Sequence, residues 1–209
     1  MVGDEPHRPY DRPPLSKKLL AGDWEPDRIH LRQPDAFDEL DVTWELGVAA
    51  ERLDLVRRRV ELADGRGLDF DGMIIATGAT PKQIGDHAAH DHVFVLRSLD
   101  DALAVREHLR AGDRRVVVIG AGFIGLEVAA TARQLGNEVV VLEGAPAPLI
   151  RGLGAEMGAV IGATHTANGV DLRCDVAVVG FDVAGVLARP MAEPDAVAEL
   201  VPADVIVVG

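Results

Sequence analysis

The residues best suited to chemistry are a glycine pattern, Gly120-Ala121-Gly122-Phe123-Ile124-Gly125, and one acid downstream of it. The pattern is G-x-G-x-x-G, which has chemical meaning only between a strand and the start of a helix. There Gly120 makes the tight turn. Gly122 removes the side chain that would block a pyrophosphate, and Gly125 permits close packing of helix on strand. The free N–H groups and partial positive charge of the helix N-terminus then face the phosphates. Glu143 follows 143 − 125 = 18 residues after the last glycine. That is near the spacing of about 20 expected for an acid that accepts both hydroxyls of an adenosine ribose. A carboxylate there repels a 2′-phosphate, so the pattern predicts NADH in preference to NADPH.

Such a site needs a β-α-β unit, and the flanking residues supply one. RRVVVIG (114–120) is a short, continuous, β-branched apolar run, the pattern of a buried parallel strand. AGFIGLEVAATARQLG (121–136) reads as a helix stopped at Gly136, and NEVVVLE (137–143) as a second buried strand. Upstream, residues 99–111 carry a helix with Asp100 and Asp101 in its first turn and Arg110 near its end, as the helix dipole prefers. Downstream, the pattern predicts a helix around Ala155–Ala163, antiparallel strands over 170–188, and a buried strand at 203–209. The N-terminal part reads differently. Pro6, Pro9, Pro13 and Pro14 make residues 4–14 a stiff loop. Leu15–Leu20 is expected to start a short helix capped by Ser16. Strands are expected at 41–48, 53–62 and 73–80, with Arg57, Arg58 and Arg59 on a solvated strand face.

Composition removes several classes. Hydrophobic residues make up 48% of the 209, and the charge is 21 − 34 = −13, a poor balance for binding nucleic acid or an anionic membrane. No apolar run is long enough for a membrane helix, and MVGDEPHRPYDRPP lacks the pattern of a secretory signal, so a cytoplasmic protein is expected. The single Cys174 provides neither a redox pair nor a cysteine-rich metal site. Tyr10 is followed at the fourth position by Pro14, so no Tyr-x-x-x-Lys pair exists, and no P-loop is present. His87, His90 and His92 read as exposed loop histidines without a completing ligand set.

Three passages together resemble the FAD-dependent pyridine-nucleotide reductases of the ferredoxin, rubredoxin and putidaredoxin reductase type, including the reductase components of Rieske dioxygenases. They are GDEPHRPYDRPPLSK (3–17), Ala76-Thr77-Gly78-Ala79, and the glycine pattern with Glu143. The resemblance covers nearly the whole chain. It implies that Glu5 holds the adenosine ribose of FAD, that Arg12 and Pro13 line the flavin, and that Lys17 lies near its N5. It implies further that Ala76, Thr77, Gly78 and Arg97 contact FAD, and that Glu127 faces the nicotinamide and pairs with Lys17. Gly120, Gly122, Phe123, Ile124, Gly125 and Glu143 bind NADH on this view, and Lys17 and Glu127 are the catalytic pair. The implied reaction passes a hydride from NADH to FAD, then single electrons to a ferredoxin- or rubredoxin-like iron–sulfur protein. Docking of an acidic acceptor on this acidic chain would need a local basic patch, for which Arg8, Arg12, Lys17 and Lys18 are candidates.

The fold class expected is α/β: a Rossmann-like NAD(H)-binding domain over 80–209 and an incomplete FAD-binding domain over 1–79. The family's glycine-rich unit for FAD would precede residue 1, and its C-terminal domain would follow residue 209. The expectation is therefore weak FAD binding by this chain, with NADH binding better preserved, and a complementing chain is one way to complete the fold. The other reading carried forward is a non-catalytic dinucleotide-binding module.

Overall fold

The structure is a computed structural model, and it describes residues 1–81, 84–85 and 89–209. Strand β1 (Val2–Gly3) precedes a 3-10 turn at Pro13–Ser16, helix α1 (Lys18–Ala21), a second 3-10 turn at Pro26–Ile29 and helix α2 (Pro34–Asp38). Strands β2 (Glu45–Leu46), β3 (Ala50–Asp54), β4 (Arg59–Leu62) and β5 (Gly67–Asp69) follow. Then come β6 (Val93–Val95), α3 (Leu99–Leu109), β7 (Arg115–Ile119), α4 (Phe123–Gln134), β8 (Glu138–Leu142) and α5 (Ile150–Ala167). The last strands are β9 (Val170–Arg173), β10 (Val176–Asp182), β11 (Gly185–Pro190), β12 (Glu199–Pro202) and β13 (Val205–Val208). Two compact units form: Met1–Asp11 with Asp27–Thr80, and Arg12–Pro26 with Pro81–Gly209.

In the first unit β1 and β2 pair in parallel, Val2 with Glu45 and Gly3 with Leu46. The strand expected over 41–48 is therefore only two residues long. Strands β3, β4 and β5 form an antiparallel meander. The single strand expected over 53–62 is broken by a turn. The Asp54 carboxylate accepts the Arg57 N–H at 2.9 Å, and Arg58 takes a φ of 52°, which reverses the chain. The arginine triplet is thus split, with Arg57 and Arg58 in the turn and Arg59 on β4, where it pairs with Asp69 at 2.7 Å. Residues 73–80 form no strand, and Ile74 and Ile75 are 93% and 68% exposed. An apolar run becomes a strand only when a neighbour accepts its ladder, and among the described residues none does.

In the second unit one parallel sheet has the order β6-β13-β7-β8-β9. Val116, Val117, Val118, Val141, Ile206 and Val207 are almost wholly buried, as strands covered on both faces require. Helix α3 buries Ala102, Val105 and Leu109, and α4 buries Val128, Ala129 and Ala132. Ser98 starts α3 with a capping box: its hydroxyl accepts the Asp101 N–H at 3.2 Å, and the Asp101 carboxylate accepts the Ser98 N–H at 2.8 Å. The strands expected over 170–188 divide by type, since β9 joins the parallel sheet while β10, β11 and β12 form a separate antiparallel one. Helix α5 is longer than expected and is interrupted at Gly154. The expected helix at Leu15–Leu20 is instead a 3-10 turn followed by α1, and the Ser16 hydroxyl caps neither.

Candidate functional site

The glycine-rich turn joins β7 to α4, where a phosphate-binding turn must lie. Gly120 has a φ of +99°, and a Cβ there would stand 2.7 Å from the Gly209 carbonyl oxygen. A Cβ on Gly125 would sit 2.0 Å from the Gly120 carbonyl oxygen, so helix and turn meet with no room for a side chain. Gly122 differs from both. A Cβ there would have nothing within 4 Å, so the space beside it is open. Gly122 is also the N-cap of α4, with no side chain capping the first turn. Unclaimed amides beside an open glycine are the features a diphosphate needs, and these residues fit a nicotinamide dinucleotide. Glu143 follows β8, with one carboxylate oxygen on the Ala121 N–H at 2.6 Å and the other on the Ala145 N–H at 2.8 Å. The acid is therefore anchored beside the turn, with lone pairs still available for ribose hydroxyls.

Just over three turns of side chains extend along α4 (12 residues) from this point. Phe123, 57% exposed, and Ile124 stand at its start. Phe123, Leu126, Glu127 and Ala130 form one wall of a cleft of about 240 Å³, and Leu149, Ile161 and His165 complete it. Burial in the cleft holds the His165 imidazole below its ordinary titration range. On the neighbouring face, the Lys17 Nζ donates to Glu127 Oε2 at 2.6 Å, and the Ser16 hydroxyl donates to the same oxygen. Lys17 also donates to the Pro13 carbonyl at 3.0 Å.

The remaining expected residues fall as follows. In the second unit Arg12 donates to the Arg97 carbonyl at 2.7 Å, which joins two of the residues assigned to flavin. In the first unit the Tyr10 hydroxyl donates to the Glu5 carboxylate, while Ala76, Thr77 and Gly78 are exposed. The basic residues considered for docking already have partners. Arg8 pairs with Asp38 at 2.7 Å and Lys18 with Asp23 at 3.4 Å, in addition to the Arg12 and Lys17 contacts above. His87 lies outside the described residues. His90 meets the rings of His92 and Phe181, and no metal-binding group occurs among the described residues. Sequence reasoning gave Ser16 the role of a helix cap and gave Thr131 none, yet both bind at this site. The only signal for Thr131 is its place four residues after Glu127, on the same helical face.

A parallel sheet carrying this turn, with an acid after the next strand, defines a dinucleotide-binding α/β protein. The chain belongs to the pyridine nucleotide-disulphide oxidoreductase family, whose model matches residues 1–209. It is 37% identical over 210 residues to rhodocoxin reductase of Rhodococcus erythropolis, covering 100% of this chain and 48% of that protein. It is 37% identical over 187 residues to putidaredoxin reductase CamA of Pseudomonas putida, covering 88% of this chain and 44% of that protein. Among solved structures, the covalent putidaredoxin reductase–putidaredoxin complex matches with a TM-score of 0.90 and 35% identity, over 100% of this chain and 51% of that one. The chain spans about half the length of the curated relatives it matches. No helix among the described residues is long and apolar enough to cross a membrane.

Proposed function

We propose that this chain is the coenzyme-binding part of an NADH-dependent, FAD-containing reductase that delivers electrons to a small ferredoxin- or rubredoxin-like iron–sulfur protein. The observation that carries this reading is the open Gly122 at the uncapped start of α4, with Glu143 fixed beside it. Gly120, Gly122, Phe123, Ile124 and Gly125 hold the diphosphate end. Glu143 holds the adenosine ribose, and Glu127, paired with Lys17, faces the nicotinamide. Residues 80–209 act as the NAD(H)-binding domain and 1–79 as a partial FAD-binding domain. For FAD the candidates are Glu5, Ala76, Thr77 and Gly78 in the first unit, and Arg12, Pro13, Lys17 and Arg97 in the second. The flavin, when bound, supplies a hydride-accepting N5 and converts a two-electron donor into single-electron steps. The glycine-rich turn described above serves the nicotinamide coenzyme.

Relatives named ferredoxin–NAD(+) reductase components, and the putidaredoxin reductase–putidaredoxin complex, support a ferredoxin as the partner. The reading is of a cytoplasmic protein acting on neither nucleic acid nor membrane, in accord with the charge of −13. Calorimetric titration tests it: NADH should bind, and more tightly than NADPH, whereas no heat from either coenzyme overturns it. After reconstitution with FAD, NADH should bleach the flavin in a stopped-flow experiment. Coenzyme binding without bleaching favours the non-catalytic binding module.

A further inference from the structure

We propose that Ser16 is a positioning residue for Glu127, pinned in its turn by Thr131, and that this chain of hydrogen bonds fixes the carboxylate toward the carboxamide of the nicotinamide. The proposal rests on the coenzyme reading above.

Ser16 and Thr131 are both only 5% exposed, although each carries a hydroxyl. Buried hydroxyls need partners, and here the partners are one another's neighbours. The Ser16 hydroxyl donates to Glu127 Oε2 at 2.5 Å, and Lys17 donates to the same oxygen at 2.6 Å. Thr131 Oγ1 donates to the Ser16 carbonyl at 2.9 Å. A helical threonine commonly bonds back to the carbonyl four residues earlier. Thr131 instead uses its proton on the segment that carries Ser16. Ser16 is therefore held at two points against one face of α4, through side chains four residues apart.

The two donors to Glu127 are not equivalent. Lys17 is 46% exposed on a long flexible stem, and such an ion pair restrains its acid weakly. Ser16 is short, buried and tied down by its backbone, so it sets the direction of the carboxylate. Because both donors meet Oε2, neither uses the lone pairs of Oε1, which remain able to accept a carboxamide N–H.

The test compares NADH with ADP-ribose, which carries the diphosphate and adenosine ribose but no nicotinamide. Ser16→Ala should weaken NADH binding by about fivefold to tenfold, the scale of one ordinary hydrogen bond, and leave ADP-ribose within about twofold. Thr131→Val should act in the same direction, while Thr131→Ser, which keeps the hydroxyl, should bind NADH as the natural chain does. These second variants carry the test if Ser16→Ala does not fold. Equal weakening of both ligands, or unchanged NADH binding in Ser16→Ala and Thr131→Val, overturns the proposal. If the natural chain binds neither ligand, the coenzyme reading itself has failed, an outcome distinct from the others.

Discussion

The carboxylate of Glu143 holds the backbone N–H of Ala121 at 2.6 Å, so the acid that follows one strand grips the turn that follows the strand beside it. The turn and its acid are one mechanical unit. Glu143→Gln cannot reproduce it, because an amide that accepts from Ala121 must turn its NH2 toward the Ala145 N–H. NADH affinity should fall about tenfold in this variant, and the preference for NADH over NADPH should shrink. Parallel titrations with the two coenzymes read both effects.

Gly122 and Gly125 should separate binding from folding. Gly125→Ala drives a Cβ to 2.0 Å from a backbone oxygen, so it should cost more than about 3 kcal/mol in a denaturant titration. Gly122→Ala meets no neighbour at an ordinary φ of −76° and should change stability by less than about 1 kcal/mol. It should nonetheless reduce NADH affinity by about tenfold or more, because its methyl group enters the space reserved for the diphosphate.

Asn137 is fully buried and joins the ends of two helices. Its amide donates to the carbonyls of Leu109 at 3.1 Å and Ala132 at 3.0 Å, and its oxygen accepts the Arg114 N–H at 3.2 Å. Asn137→Leu removes all three bonds; the Leu109 and Ala132 carbonyls keep the backbone N–H groups of Gly112 and Asn137, while the Arg114 N–H loses its acceptor. A loss of about 1–3 kcal/mol is expected in urea unfolding, with the far-ultraviolet spectrum of the folded state retained.

Asp204 carries a pH signature. The hydrogen bonds of the Arg115 side chain and backbone lower its pKa from 3.8 to about 2. A folded-state value below the unfolded one means that the unfolded chain binds the proton first as pH falls. The stabilisation is therefore complete above about pH 4 and is lost as pH approaches 2. Asp204→Asn should be less stable than the natural chain at pH 7 by about 1 kcal/mol, allowing for solvent screening of the half-exposed arginine. The difference should shrink as pH falls through about 2 and vanish below it.

The β-α-β unit was legible because each of its signals is local: β-branched runs for β7 and β8, a glycine turn, and Gly136 after α4. The same locality explains the misses. Residues 53–62 alternate well enough for one strand, but the reversal depends on an Asp54 side chain reaching the Arg57 N–H. Val170–Arg173 looks no different from an antiparallel strand until β8 offers it a parallel edge. Met73–Ile75 has the composition of a strand and no partner among the described residues. At the site, the resemblance led to Lys17 and Glu127, whereas Ser16 and Thr131 meet across 115 positions of chain, a separation with no sequence periodicity to announce it.

Strand β13 lies between β6 and β7 although more than 85 residues separate β7 from its end. A ribosome that has delivered everything through β12 has therefore made a sheet with its centre missing. The facing edges of β6 and β7, rich in valine, must wait side by side until residue 208 clears the exit tunnel. During that interval both edges are open to other chains, and the need for a chaperone should persist until β13 arrives.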